Sequence, residues 1–136
     1  MTRVPEMLKA GIRVGFGQDC VLDPWYSLGS ADMLDVAFMG LHVAQMTSPQ
    51  EMRHCYDMVT SVNAAIMGLE GYGLGKGCRA SLVVLEAGDP VEAIRLRAER
   101  RLVIANGRII ARRERNPARL NLPGRPVCVD RRFRTP

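Results

Sequence analysis

At 136 residues and 47% hydrophobic composition, the chain can bury an ordinary core without disulfides and is too apolar for wholesale disorder. No apolar run approaches the roughly 18 residues of a membrane helix, and Met1–Glu6 has no secretory core, so a cytoplasmic protein with no membrane partner is expected. The net charge of +5 is confined to one end: eight arginines against two acids between residues 112 and 136 leave the rest of the chain at −1.

That basic stretch is punctuated by proline and carries one aromatic, Phe133, so it reads as a solvated tail and not as a folded nucleic-acid face. Nucleic acid is not expected as a partner, and contact of the tail with RNA or an acidic partner is the lesser reading. The four cysteines, Cys20, Cys55, Cys78 and Cys128, include no C-x-x-C pair. A structural zinc site and a disulfide scaffold are therefore not expected.

In chain order, Pro5–Ala10 predicts a short helix, with proline in its first turn and Gly11 just past its end. Ile12–Gly17 predicts a strand ending in Gln18-Asp19, completing an α/β unit. Cys20–Ser30 is a loop that holds the only tryptophan, Trp25. The helix predicted over 31–46 is apolar nearly all round, which requires burial on several sides. Ser48-Pro49-Gln50-Glu51 is a capping box that opens a helix to about Val59, and a shorter helix follows over 61–69.

After a run of glycines the character changes. Ala80–Leu85 is β-rich, and Asp89-Pro90-Val91-Glu92 is a second capping box that opens a helix to about Ala98. Residues 102–105 and 108–111 flank Asn106-Gly107, the pair that favours a type I′ hairpin turn. Three parts result: an α/β and helical stretch over 1–70, a small β unit over 71–111, and the basic, Pro-containing tail over 112–136. The first part has one strand and the second has open edges, so both expect partners from outside these residues.

The residues also carry a resemblance. Thr2–Asp19 looks like the last helix–strand unit of an amidohydrolase (β/α)8 barrel. Val21–Gly29, with its Asp23-Pro24-Trp25, and Met39-Gly40-Leu41-His42-Val43 are similar to bacterial cytosine deaminase. Tyr72–Leu85 and Val103–Ile110 resemble the start and the closing hairpin of that superfamily's small C-terminal β domain.

The resemblance implies an α/β chain that is the C-terminal fragment of a metal-dependent hydrolase barrel plus part of the small β-sandwich domain. Met1 is then an internal methionine, and the missing N-terminal barrel segment is a partner. It implies hydrolysis of a C–N bond, deamination of cytosine or a related amino-heterocycle within pyrimidine metabolism, and a homo-oligomer when complete. In such enzymes a divalent metal, iron or zinc, lowers the pKa of a water, and a carboxylate carries its proton to the leaving amine.

Asp19 takes the metal-ligand and catalytic position implied by the resemblance, and Cys20 and Trp25 take substrate-binding positions. Cys20 stands where cytosine deaminases have a second acid, which favours another amino-heterocycle or a cyclic amide as substrate. Gln18 replaces a histidine, and Ser81 stands where the family has Asp or Asn. His42 and His54 match no ligand position. The isolated chain is expected to be inactive, and a non-catalytic remnant or interaction module that retains the β domain is the alternative.

Overall fold

A computed structural model of the chain describes residues 2–114 and 118–129, with Cys128 and Val129 as backbone only. Five helices and a three-stranded sheet follow in the order α1 (Val4–Lys9), α2 (Met33–Val43), α3 (Pro49–Met58), α4 (Ser61–Ile66), β1 (Leu82–Leu85), α5 (Pro90–Leu96), β2 (Arg100–Ala105) and β3 (Arg108–Arg112). A two-residue ladder, β4 (Ala118–Arg119) with β5 (Cys128–Val129), lies in the basic stretch.

The helix starts follow the sequence closely. Ser48 accepts from the Glu51 amide while Glu51 accepts from the Ser48 amide, so the first capping box forms in full. The second forms by half. Asp89 accepts from the Val91 and Glu92 amides, but the Glu92 carboxylate turns to Arg95, 2.6 Å away.

Four helices end in the same arrangement, with one residue in the left-handed region and the next amide reaching back to close the last turn. The left-handed residues are Gly11, Gln45, Gly68 and Arg97. The returning amides are those of Ile12 to Met7 O, Met46 to Leu41 O, Leu69 to Ala64 O and Ala98 to Ala93 O.

The sheet has the order β1-β2-β3, antiparallel throughout, and its β2–β3 turn places Asn106 at φ 49° and Gly107 at φ 77°, as the type I′ expectation requires. Both faces of β1 are open, since the adjacent Val83 and Val84 are both exposed.

One core joins the two parts. Val4 from α1, Leu34, Ala37 and Leu41 from α2, Cys55 and Met58 from α3, and Ala93 and Ile94 from α5 are buried together. Met46 and Ala98, each just after a left-handed residue, are buried in the same cluster. Asp32, the cap of α2, also pairs with Arg100 of β2.

Candidate functional site

The expected strand over 12–17 forms no ladder, because no other described strand lies beside it. Its middle is nevertheless fixed. The Phe16 amide donates to Met58 O at 3.0 Å, and Asn63 Nδ2 donates to Phe16 O at 2.6 Å. Gly15 permits this approach, since a Cβ there would sit 2.9 Å from Asn63 Cγ and closer still to its oxygen. On the other side the Phe16 ring lies on Gly40 of α2, where a Cβ would come within 2.7 Å of Cδ2. Held between α2 and α4, Phe16 determines where Gly17-Gln18-Asp19 leaves the core. Asp19 is exposed.

The loop beyond it is organised by Asp23. That carboxylate accepts from the amides of Trp25 (2.9 Å) and Tyr26 (3.1 Å), a local turn built by the side chain. The Cys20 thiol also bonds to Asp23, and this bond, then desolvation, then the charge of Asp19 push the thiol above its ordinary range. Desolvation works to raise the Asp23 carboxyl, but the hydrogen bonds from Trp25, Cys20, Tyr26 and Val21 outweigh it and hold that group below its ordinary value. Cys20 is therefore a neutral thiol at physiological pH. Gly29 closes the loop against the Cys20 carbonyl, and Gln18 Oε1 is buried there without a partner.

Asp19, Cys20 and Trp25 line one open depression of about 1220 Å3, together with Leu28, Met39 and Arg97. The structure thus gathers all three residues singled out from the sequence. Trp25 is 88% exposed, a large ring with no cover. A polar corner completes the wall: Ser30 Oγ donates to Asp35 Oδ2 at 2.7 Å, and Arg97 Nε lies 3.9 Å from Asp35. The Arg97 guanidinium stands 4.6 Å from the Phe38 ring centre.

The histidines lie elsewhere. His42 Nδ1 is 2.7 Å from Phe38 O one turn back, and His54 lines a smaller depression with Leu8 and Ile12. Among the described residues no three His, Cys, Asp or Glu side chains come together as a metal site. Asp19 stands as a single exposed carboxylate, short of the several ligands that a catalytic metal needs.

Sequence reasoning missed Asn63, Gly15 and Arg97 as the parts that hold this wall in place. A glycine in the middle of a helix, Gly40, was the one available signal of close approach.

The model of the family described as "Amidohydrolase family" matches residues 1–111. The chain belongs to the amidohydrolase family. Among its relatives is the N-isopropylammelide isopropyl amidohydrolase of Pseudomonas sp. (strain ADP), 36% identical over 112 residues, which covers 82% of this chain and 28% of that protein.

Among solved structures, the 5-methylcytosine deaminase of Klebsiella pneumoniae, liganded with 5-fluorocytosine, superposes with a TM-score of 0.82 at 38% identity. That match covers 88% of this chain and 29% of the deaminase. The N-isopropylammelide isopropylaminohydrolase of Burkholderia multivorans gives 0.77 at 34%, covering 81% and 28%. This amidohydrolase chain thus spans under a third of the length of the relatives it matches, and the family resemblance read from the Asp-Pro-Trp loop and the two β motifs is borne out. No helix among its described residues is long and apolar enough to cross a membrane.

Proposed function

We propose that the chain is the carboxyl-terminal part of a cytoplasmic, metal-dependent amidohydrolase. Residues 1–70 carry the last barrel unit and its helices, 71–111 part of the small β domain, and 112–136 a basic tail. The complete enzyme, a homo-oligomer, hydrolyses a C–N bond of an alkyl-bearing amino-heterocycle. The observation that carries the reading is the shared wall: Asp19, Cys20 and Trp25 on one depression of a chain from this family.

Asp19 serves as the carboxylate for a divalent metal, iron or zinc, and for proton transfer to the leaving amine. A divalent cation supplies Lewis acidity in such a site. The rest is done by this chain's own groups. Trp25 offers a face for a planar ring. Cys20, kept protonated by Asp23, with Leu28 and Met39 on the same wall, presents a neutral, apolar surface where an acid would demand a ring N–H. That surface suits an alkyl substituent, and the names of two relatives carry a methyl and an isopropyl group.

The test is release of ammonia or alkylamine from cytosine, 5-methylcytosine and an N-alkyl amino-heterocycle, measured on the chain joined to the rest of an amidohydrolase barrel. Asp19→Asn is expected to lower turnover by roughly 10²–10⁴-fold, the usual contribution of a positioned proton carrier. Cys20→Asp is expected to shift preference toward cytosine. Full activity in Asp19→Asn would remove the reading.

A further inference from the structure

Cys20 and Trp25 sit on a loop that burial does little to hold. Leu22 and Leu28 are each 78% exposed, so few apolar contacts fix residues 20–30 to the body. Asp23 and the approach of Gly29 to the Cys20 carbonyl shape the loop from within, but they do not fix how it stands against Asp19. Its first end is set by Phe16. Its second end runs through Ala31, an exposed residue at φ 56°, where backbone sterics oppose any L-residue and neighbouring contacts must hold it.

Those contacts form a short polar chain. The Asp32 amide donates to Ser30 Oγ at 3.3 Å, and Ser30 Oγ donates to Asp35. Asp32 Oδ1 accepts from the Leu34 amide at 2.8 Å and also from Arg100 Nη2, across 68 residues of sequence. Two ion pairs thus tie this end of the loop to the stretch that runs from α5 into β2, and they are unequal. The Asp35–Arg97 pair is loose and open to water, so it adds little. The Asp32 side chain is only 18% exposed and meets Arg100 in a charge-assisted hydrogen bond, the stronger kind. Capping Leu34 needs only an oxygen, which asparagine would supply as well as aspartate. The charge at residue 32 therefore serves Arg100.

We infer that Arg100 is a positioning residue for the substrate wall: through Asp32 and Ser30 it keeps Ala31 in left-handed backbone, and so fixes the loop that carries Cys20 and Trp25. No described residue of β1, β2 or β3 lines the depression, so the β unit acts on that wall through this tie and not by contact. The inference rests on the proposed use of Cys20 and Trp25 as substrate contacts.

The experiment measures backbone order parameters by nuclear magnetic relaxation on the full 136-residue chain, for the amides of residues 25–29. In Arg100→Met they are expected to fall from the rigid range, about 0.85, to below about 0.6, while those of α3 stay unchanged. Arg100→Lys, which keeps the charge, should recover at least about half of that loss. Asp32→Asn keeps the helix cap and should reproduce the effect of Arg100→Met, and it decides the matter if the arginine variant does not fold. Ile94→Val lowers stability in the core and should leave the loop as rigid as in the parent chain. In the chain joined to an amidohydrolase barrel, Arg100→Met should raise KM at least about threefold with kcat changed less than about twofold.

A loop that stays rigid in both Arg100→Met and Asp32→Asn overturns the inference. So does an equal loosening in Ile94→Val, because Arg100 would then serve stability alone. A freed loop with an unchanged KM supports the tie and counts against Trp25 as the substrate face instead.

Discussion

Asn63 Nδ2 donates to the backbone carbonyl of Phe16 at 2.6 Å, across 47 residues of sequence, and so gives an unpaired segment a partner that a neighbouring strand would otherwise provide. Asn63→Ala leaves that carbonyl without its bond and is expected to cost about 1–3 kcal/mol in urea unfolding. Gly15→Ala pushes a methyl into the same amide and should also destabilise. Because both changes act on one contact, the double variant should be less destabilised than the sum of the singles, and strict additivity would show the two residues to be independent.

Gly40→Ala sets two effects against each other. Alanine in a helix interior is worth about 0.5–1 kcal/mol over glycine, whereas overpacking a fixed neighbour costs about 1–3 kcal/mol. With the Phe16 ring in the way, the clash should win and the melting temperature should fall. Gly17→Ala meets nothing within 4 Å and should change stability by no more than about 0.5 kcal/mol. Equal effects at the two positions would mean that Phe16 yields freely.

At the ends of α2 and α5, Gln45 and Arg97 hold left-handed backbone that costs an L-residue about 1–2 kcal/mol. Gln45→Gly should therefore raise the urea midpoint, by about 0.5–1 kcal/mol once the extra freedom of the unfolded chain is counted. Arg97→Gly should gain less, since it also removes the guanidinium from Phe38 and Asp35. A larger gain at 97 than at 45 would show those contacts to be idle.

The thiols give a pH test. Desolvation first, then the charge of Glu51, push the Cys55 thiol from 9.0 to about 11. The folded state keeps its proton where the unfolded chain has lost it, so this group's contribution to stability is complete below pH 9.0 and declines as pH rises toward about 11. Cys55→Ala should flatten that decline in denaturant titrations at graded pH. At Cys20 the hydrogen bond to Asp23 is the main cause of the raised value, so Asp23→Asn should speed alkylation of Cys20 near pH 8. Mass-spectrometric mapping separates the sites, and an unchanged rate at Cys20 would discount that bond.

Much of the fold was legible because its signals are local. Ser48 with Glu51, Asp89 with Pro90, and Asn106 with Gly107 each act on backbone within a few residues, and each produced the turn or helix start expected of it. Gly11 likewise marked the end of α1. Gln45 and Arg97 were invisible in that role, because no local preference puts them in left-handed backbone. Burial of the next residue, Met46 or Ala98, accompanies each of them, and that is a tertiary fact.

The strand over 12–17 was read from β-rich residues, but a ladder needs a second strand, and Phe16 found Met58 and Asn63 instead. Of the candidate site, Asp19, Cys20 and Trp25 came from motif resemblance, and their common depression is where the fold gathers them. Within the polar corner Ser30 and Asp35 meet locally, but Arg97 could not be read as its third member, since it reaches Asp35 only when α5 docks on α2.

That docking limits how such chains can be shuffled. The glycines from 71 to 77 look like an easy place to join the front of one family member to the back of another. Yet Ile94, encoded after that join, is buried with Met58 and Leu41, encoded before it. A hybrid cut there would bring together side chains never selected to fit, whereas exchanging residues 1–111 as one cassette keeps the interior intact.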